Sequence, residues 1–172
     1  EKQGISKDRI FWVPASIPID SLKRKTSVVS KKLVFMGTLN SKNGVYILPK
    51  IVRYLKDRGV DLGLDIMGDG PDKKLLESQI KELDLTKNIR LLGNLRFEEF
   101  ADKLTYYQAG IVSYEFSKDN LLQMTDSMKQ RVYTAAGLPI VITKGFDFSY
   151  EVDKNAIGIS VPFGVESFAT AL

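Results

Sequence analysis

Two polar segments of the sequence contain the residue types from which an anion-binding or sugar-binding site can be built. The first, residues 37–44 (GTLNSKNG), combines two glycines, small polar side chains and Lys42 directly after an apolar run. If that run is a strand followed by a helix, unpaired amides at the helix N-terminus and the lysine would attract an anion such as a diphosphate. The segment matches neither the dinucleotide-binding nor the P-loop pattern, so an ordinary turn with an exposed lysine stays open as the alternative.

The second segment, residues 126–133 (DSMKQRVY), opens a predicted helix that ends in the AAGLP of residues 135–139. Four side chains three or four positions apart predict a polar face that could hold a sugar: Asp126, Lys129, Gln130 and Tyr133. Three apolar residues predict the inward stripe: Met128, Val132 and Ala135. The alternative is that Asp126 only caps the helix and that Lys129 is solvated.

An acidic residue follows the apolar run 111–114 and is expected at the same rim. The carboxylate of this residue, Glu115, could accept hydrogen bonds from sugar hydroxyls or stabilise developing positive charge. A surface acid without function is the alternative. The loop after it, residues 116–124, contains Leu121, Leu122 and Met124 and is expected to fold over a ligand or to pack against another domain.

The elements that position these segments follow from the apolar pattern. Six apolar runs predict strands at residues 32–36, 62–67, 88–92, 109–114, 139–143 and 157–161. Helical periodicity separates them, with the first helix expected to begin near Val45, to hold Pro49 in its first turn and to end at Gly59. Buried strands that alternate with helices predict an α/β, Rossmann-like fold: a doubly wound, mainly parallel, six-stranded sheet. Ligands of such sheets bind where the strand order reverses, so the loops after the first and fourth strands are expected to form the site.

Composition excludes several classes of site. The 172 residues predict a single domain over 1–172, with residues 1–30 as an interdomain segment. The chain contains no histidine and no cysteine, which removes thiol nucleophiles, disulfides and an imidazole base, and no metal site or cofactor is predicted. The net charge of +4 has no interleaved aromatic pattern, so no nucleic-acid partner is expected. The basic clusters 23–25 and 31–32 are interpreted as solvated charge, with an anionic ligand or membrane surface as the alternative.

Short motifs occur in the order found in one known family. The chain resembles the C-terminal, nucleotide-sugar-binding domain of the group 1 (family 4-like) glycosyltransferases, which are two-domain GT-B enzymes. The resemblance covers most of the chain through residues 10–20, 33–44, 68–71, 89–95, 98–100 and 135–141. It implies that Gly37 and the turn 42–44 face the diphosphate, that the backbone of 93–95 faces the base, and that the helix 126–133 faces the ribose and phosphates.

The sequence departs from this family at the positions that usually bind the donor. The family's basic residue after the first glycine is Thr38 here, and the lysine of its "KG" pair falls on Asn43, with Lys42 one place early. The family's two glutamates fall on Met124 and Val132. The predicted donor-binding residues are Gly37, Thr38, Lys42, Asn43, Gly44, Gly93, Leu95, Asp126 and Tyr133, and the predicted catalytic residues are Glu115 and Lys129.

The resemblance implies a retaining glycosyltransferase whose donor, a nucleotide-diphosphate sugar, is a substrate and not a cofactor. It implies a saccharide or lipid-linked acceptor, a role in polysaccharide biosynthesis, a cytoplasmic location, and an N-terminal domain of the same chain without which this domain is inactive. Peripheral membrane contact of the full-length protein stays open. The alternatives are an inactive, transferase-like partner subunit and an unrelated flavodoxin-like domain, although residues 37–43 lack the acids of a receiver domain.

Overall fold

The computed structural model describes residues 6–9, 11, 17, 22, 30–115 and 128–172. Within these residues the strands are β1 (Lys32–Met36), β2 (Gly63–Met67), β3 (Ile89–Gly93), β4 (Ala109–Val112), β5 (Ile140–Thr143) and β6 (Gly158–Val161). The α-helices are α1 (Leu48–Asp57), α2 (Lys73–Glu82), α3 (Phe97–Leu104), α4 (Met128–Ala135), α5 (Asp147–Lys154) and α6 (Val165–Ala171). Most of the predicted interdomain segment, residues 1–30, and all of the loop 116–124 lie outside the described residues.

The strands form one parallel sheet in the order β3-β2-β1-β4-β5-β6. The chain first runs outward from β1 to β3, then crosses back to β4 and runs outward in the other direction. The reversal of strand order therefore lies between β1 and β4, which pair directly through Val34 and Gly110. The predicted doubly wound, Rossmann-like sheet is confirmed, and its carboxyl edge at β1 and β4 is the place where such folds bind ligands.

Two hydrophobic cores cover the two faces of the sheet, because alternate residues of each strand point to opposite sides. On β1, Leu33 and Phe35 belong to the core that α1, α2 and α6 cover, whereas Val34 belongs to the core that α3, α4 and α5 cover. All three side chains are fully buried. This two-sided burial explains why β1, β4 and β5 are largely continuous apolar runs and why their positions could be predicted.

The six predicted strands are confirmed, with bounds that shift by one or two residues at most. Helical structure begins at Val45 as predicted, but as a 3-10 turn, Val45–Ile47, and the α-helix α1 begins only at Leu48. Pro49 occupies the first turn of α1, as predicted. Gly59 ends this region with a left-handed φ of 77°. Helix α5 is not among the predicted elements. Within the described residues, no helix is long and apolar enough to cross a membrane.

Candidate functional site

A cavity of about 320 Å³ opens at the carboxyl ends of β1 and β4, where the strand order reverses. Its walls come from the segment after β1, the segment after β4 and the start of α4. The described residues that line it are Met36, Gly37, Thr38, Asn43, Tyr114, Met128 and Lys129. Its volume is within the range of small-molecule sites. The predicted location of the site, at the loops after the first and fourth strands, thus coincides with a cavity.

The loop after β1 is held in place by close backbone contacts. The side chain of Asn40 accepts a hydrogen bond from the Asn43 amide at 2.9 Å, which closes the turn. Gly44 then adopts a left-handed φ of 62°, and a Cβ there would lie only 1.9 Å from the Ser113 carbonyl oxygen. Because only glycine fits so close to another backbone, the turn 40–44 lies directly against the end of β4.

The glycines after β2 hold the other side of this loop. A Cβ at Gly68 would lie 1.9 Å from the Gly37 carbonyl oxygen, and a Cβ at Gly70 would lie 2.4 Å from the Leu39 carbonyl oxygen. Asp69 stays in its turn, where its carboxylate accepts the Gly70 amide at 2.8 Å and pairs with Lys73. The segment 68–71 (GDGP) therefore supports the backbone of the cavity wall.

Lys129 is the buried cation of the cavity. Its side chain is 6% exposed, and its Nζ donates a hydrogen bond to Oδ1 of Asn43 at 3.2 Å. The side-chain nitrogen of Asn43 donates a hydrogen bond to the Thr38 carbonyl at 2.7 Å. This bond leaves the side-chain oxygen of Asn43 facing the lysine. The ammonium group also lies 4.9 Å from the ring centroid of Phe35 and 4.4 Å from that of Tyr114. The lysine is thus held by one neutral amide and two aromatic faces.

Burial lowers the pKa of Lys129 to about 7, since desolvation disfavours the charged amine. Among residues 30–115 and 128–172, no carboxylate pairs with it to counter this effect. A Cβ at position 37 would lie 3.1 Å from Nζ, so the glycine leaves this side of the amine uncovered by a side chain. An anion placed here would supply the opposite charge that the protein does not provide in its described part.

The predicted orientation of α4 is right for Val132, which is buried, and wrong for Met128 and for the predicted polar face. Met128 is 47% exposed, whereas Lys129, Gln130 and Tyr133 of the predicted polar face are all buried. The cause is the glycine at position 110 on β4: a Cβ there would lie 2.6 Å from the Tyr133 ring, so the ring fills the space that Gly110 leaves. This contact turns the tyrosine face of the helix toward the sheet.

The structure brings four of the predicted site residues to the cavity: Gly37, Thr38, Asn43 and Lys129. Lys42 is exposed on the adjoining turn, and its carbonyl oxygen accepts the Glu115 amide at 3.1 Å. Glu115 follows the cavity residue Tyr114 and is half-buried. Gly44 lies within the same turn, and its contribution is the close backbone approach described above.

The other predicted residues are not brought to the cavity. Tyr133 is fully buried in the core and directs its hydroxyl to the Val34 carbonyl at 3.4 Å. Gly93 is the last residue of β3 and Leu95 follows it, and β2 separates this strand from β1. The Gly93 carbonyl accepts the Gly68 amide. Val132, at one of the family's glutamate positions, is 2% exposed within the core. Asp126 and Met124 lie outside the described residues.

Two contributors were missed in the sequence. Tyr114 lines the cavity and stacks on the lysine, and Ser113 donates its hydroxyl to the Asn43 carbonyl at 2.9 Å. Only their position in the sequence could have indicated this role, because both directly follow β4 at the rim where the site was expected. In its described part the site presents one buried amine, which suits recognition of an anion and stabilisation of negative charge on a leaving group.

Comparisons with known proteins agree with this geometry. A sequence profile of the family described as glycosyl transferases group 1 matches residues 30–172. A 2-deoxystreptamine N-acetyl-D-glucosaminyltransferase of Niallia circulans is 33% identical over 70 residues, which are 40% of this chain and 18% of that protein.

Solved structures share the fold at low sequence identity. The pneumococcal O-GlcNAc transferase GtfA, in complex with UDP and GlcNAc, aligns with a TM-score of 0.69 and 16% identity over 87% of this chain and 30% of that chain. The C-terminal domain of a glycosyl transferase group 1 family protein (LpcC) from Francisella tularensis aligns with a TM-score of 0.64 and 14% identity, over 90% of this chain and 85% of that chain. This chain thus spans only a minor part of the curated relative and of the pneumococcal enzyme. By its sequence profile and its six-stranded sheet, it belongs to the glycosyl transferases of group 1 and has the fold of one half of a GT-B enzyme.

Proposed function

We propose that this chain is the donor-binding domain of a glycosyltransferase and that it holds a nucleotide-diphosphate sugar with the diphosphate against Lys129. The observation that carries the proposal is the buried amine of Lys129 in the cavity at the reversal of strand order. Its hydrogen-bond acceptor is the neutral side chain of Asn43. A diphosphate would supply the missing negative charge and form a charge-assisted hydrogen bond.

The surroundings of the amine favour a phosphate over a bulkier group. Gly37 has no side chain between its backbone and Nζ of Lys129, and Thr38 lies beside it on the cavity wall. The exposed Lys42 lies on the adjoining turn, where it can add a second positive charge without losing its own hydration. The UDP and GlcNAc bound in the pneumococcal relative make a uridine diphosphate sugar the first donor to test.

The proposed chemistry is the transfer of the sugar with departure of the nucleoside diphosphate. As the glycosidic bond to the diphosphate breaks, negative charge grows on the leaving phosphate oxygen, and protonated Lys129 would stabilise it. The proposal includes retention of the anomeric configuration and a saccharide or lipid-linked acceptor that a second domain would present. The domain alone is then expected to bind the donor without transferring it.

Calorimetric titration with UDP, GDP, ADP and their sugars tests the donor site. We expect binding of at least one nucleotide, with about tenfold or greater loss in Lys129→Ala and a smaller loss in Lys42→Ala. Lys81→Ala is the matched control, because Lys81 is exposed on α2 and outside the cavity. If no nucleotide binds, or if Lys129→Ala binds as tightly as the control, the proposed site is wrong.

A second candidate function is an inactive, transferase-like partner subunit. It is favoured by Val132, which occupies one of the family's glutamate positions and is packed in the core, where it has no group that could bind a ribose hydroxyl. The two candidates differ in turnover. A full-length protein that binds the donor through Lys129 and releases UDP only slowly, with no transfer to any offered acceptor, would support the partner subunit.

A further inference from the structure

Three segments converge beside the cavity on a tyrosine, a glutamate and a phenylalanine. Tyr46 lies in the 3-10 turn before α1, Glu115 follows β4, and Phe163 follows β6. All three side chains are half-buried, so each keeps some surface in contact with solvent. The residue before Glu115, Tyr114, lines the cavity that holds Lys129. The cluster therefore adjoins the proposed donor site and is built from different side chains.

The hydroxyl of Tyr46 donates a hydrogen bond to the carboxylate of Glu115. Desolvation is the larger cause and this carboxylate the smaller one, and together they raise the pKa of Tyr46 to about 12. The hydroxyl therefore keeps its proton at neutral pH. The backbone of Glu115 is fixed as well, because its amide donates to the Lys42 carbonyl at 3.1 Å. Both ends of this glutamate are thus held by residues of the loop that follows β1.

Tyr46 is itself held from the other side. The Phe163 ring packs edge-on against it, with centroids 6.1 Å apart and planes at 70°. A Cβ at Gly44 would lie 2.8 Å from the Phe163 ring and 1.9 Å from the Ser113 carbonyl oxygen. The glycine therefore lets the loop approach both β4 and Phe163, and this approach places Tyr46 within reach of Glu115.

We propose that Tyr46 is a positioning residue that orients the Glu115 carboxylate to accept a hydrogen bond from a hydroxyl of the donor sugar. This proposal rests on the proposed function, since it concerns the sugar attached to the diphosphate at Lys129. A carboxylate can accept about four hydrogen bonds, so the one from Tyr46 orients the group without exhausting it. Without the phenol, Glu115 would have to be ordered each time a sugar binds, which costs side-chain entropy.

The chain offers a matched control for the tyrosine. The hydroxyl of Tyr54, on α1, donates to the Glu166 carboxylate at 3.1 Å, which is the same kind of pair at an exposed position outside the cavity. Tyr46→Phe and Tyr54→Phe each remove one phenolic hydroxyl that is bonded to a glutamate. A general effect of such a loss on the fold would appear in both variants, whereas an effect on sugar binding would appear in only one.

The experiment measures the contribution of the sugar as the ratio of two dissociation constants, that of the free nucleoside diphosphate and that of its sugar. UDP is compared with UDP-glucose, UDP-galactose and UDP-GlcNAc, and GDP with GDP-mannose. We expect the ratio to fall by about threefold to tenfold in Tyr46→Phe and in Glu115→Gln, with the affinity for the free diphosphate and the unfolding temperature unchanged. The double variant should match Glu115→Gln, because the tyrosine acts only through the glutamate.

Each other result has a distinct meaning. If free UDP and GDP fail to bind the wild-type chain, the proposed function itself is wrong and this proposal falls with it. If a diphosphate binds through Lys129 but no attached sugar strengthens binding, the positioning role is wrong and the donor-binding function stands. If Tyr46→Phe keeps the wild-type ratio, or changes it no more than Tyr54→Phe does, the role of Tyr46 is likewise wrong.

Discussion

The Nζ atom of Lys129 lies 3.2 Å from Oδ1 of Asn43, although 86 positions separate the two residues in the sequence. Position 43 is where the family resemblance would place a lysine of the loop after the first strand. In this chain position 43 is an asparagine, and the amine that reaches it belongs to Lys129 of α4. We propose a relocation of the positive charge, in which Lys129 supplies from α4 the amine that the resemblance implies for position 43.

Exchanging the two positions tests this relocation. Lys129→Met is expected to weaken UDP binding by about tenfold or more, because it removes a charge-assisted hydrogen bond. Adding Asn43→Lys to Lys129→Met should recover most of that loss, since it returns an amine to the same wall from the other side. Isothermal titration of both variants measures the recovery.

Asn43→Lys alone is the control for the exchange. It places two amines side by side, so we expect no gain in affinity over the wild-type chain and a lower unfolding temperature from like-charge repulsion. If the double variant binds UDP no better than Lys129→Met, the lysine contributes through α4 packing and not through its charge.

The affinity for UDP should fall as the pH rises above neutrality. The pKa of Lys129 is lowered to about 7 by burial, and a bound diphosphate would raise it, so binding takes up a proton. If only the protonated lysine binds, affinity weakens by about fivefold between pH 7 and pH 8 and by about fiftyfold between pH 7 and pH 9. Calorimetry in buffers of different ionisation enthalpy would measure this proton uptake directly.

The composition of the chain allows this pH dependence to be assigned to Lys129. The sequence contains no histidine and no cysteine, so neither side chain titrates in the same range. In Lys129→Met the residual affinity should vary far less over the same pH interval. A wild-type affinity that stays constant from pH 7 to pH 9 would mean that the lysine is not the partner of the diphosphate.

The same amine should make the fold less stable at neutral pH than in mild alkali. In the unfolded chain Lys129 keeps its ordinary pKa near 10.5, whereas the folded value is about 7, so between these values the unfolded state binds more protons. The free energy of unfolding therefore rises with pH over this interval, by at most about 1.4 kcal/mol per pH unit. Below pH 7 both states carry the charge, and the full cost of burying it remains.

Urea unfolding of the wild-type chain and of Lys129→Met measures this effect as a difference. The methionine variant should be the more stable one at pH 7, and its advantage should shrink as the pH approaches 9. Taking the difference removes groups that titrate equally in both chains. If this advantage does not change with pH, the pKa of Lys129 is the same in the folded and the unfolded chain, and the expected effect of burial is wrong.

Gln130 is expected to lower the stability of the fold. Its side chain is fully buried, and among the described residues neither its amide nitrogen nor its oxygen has a hydrogen-bond partner. Gln130→Met keeps the approximate length of the side chain and removes both polar atoms, so the free energy of unfolding should rise by about 1–3 kcal/mol. Thermal unfolding should show this as a gain of about 2–4 °C for each kcal/mol.

Gln79→Met is the comparison for this variant. Gln79 has one buried oxygen without a partner in the described part of the chain and is otherwise half-buried, so its gain should be smaller. A lower unfolding temperature for Gln130→Met would mean that the amide has a partner outside the described residues, such as an ordered water, a ligand or another part of the chain. In that case a shift of its side-chain amide resonances on UDP addition would identify the ligand.

The centre of the sheet could be predicted because β1, β4 and β5 are buried on both faces and therefore read as largely continuous apolar runs. The place of the site followed from topology alone, since the reversal of strand order determines which two loops meet. Those loops contain Gly37, Thr38 and Asn43, which line the cavity together with Lys129. Their proximity needed only the order of the strands and no knowledge of side-chain packing.

The orientation of α4 could not be predicted from its own pattern. Tyr133 counts as polar in a periodicity count, yet its ring belongs to the core because position 110, on another strand, lacks a side chain. The Tyr46–Glu115 pair was hidden for a similar reason, since it depends on how closely Gly44 approaches the end of β4. Both features are set by backbone contacts between segments far apart in sequence, which no local pattern records.

The contact between Gly110 and Tyr133 also constrains how this domain can diverge. A side chain at position 110 would displace the Tyr133 ring, so a larger residue at 110 is expected together with a smaller one at 133. Because Tyr133 and Lys129 lie on the same helix, we expect such a pair of changes to shift Lys129 relative to Asn43. The geometry of the proposed phosphate site would then depend on two core positions that do not line the cavity.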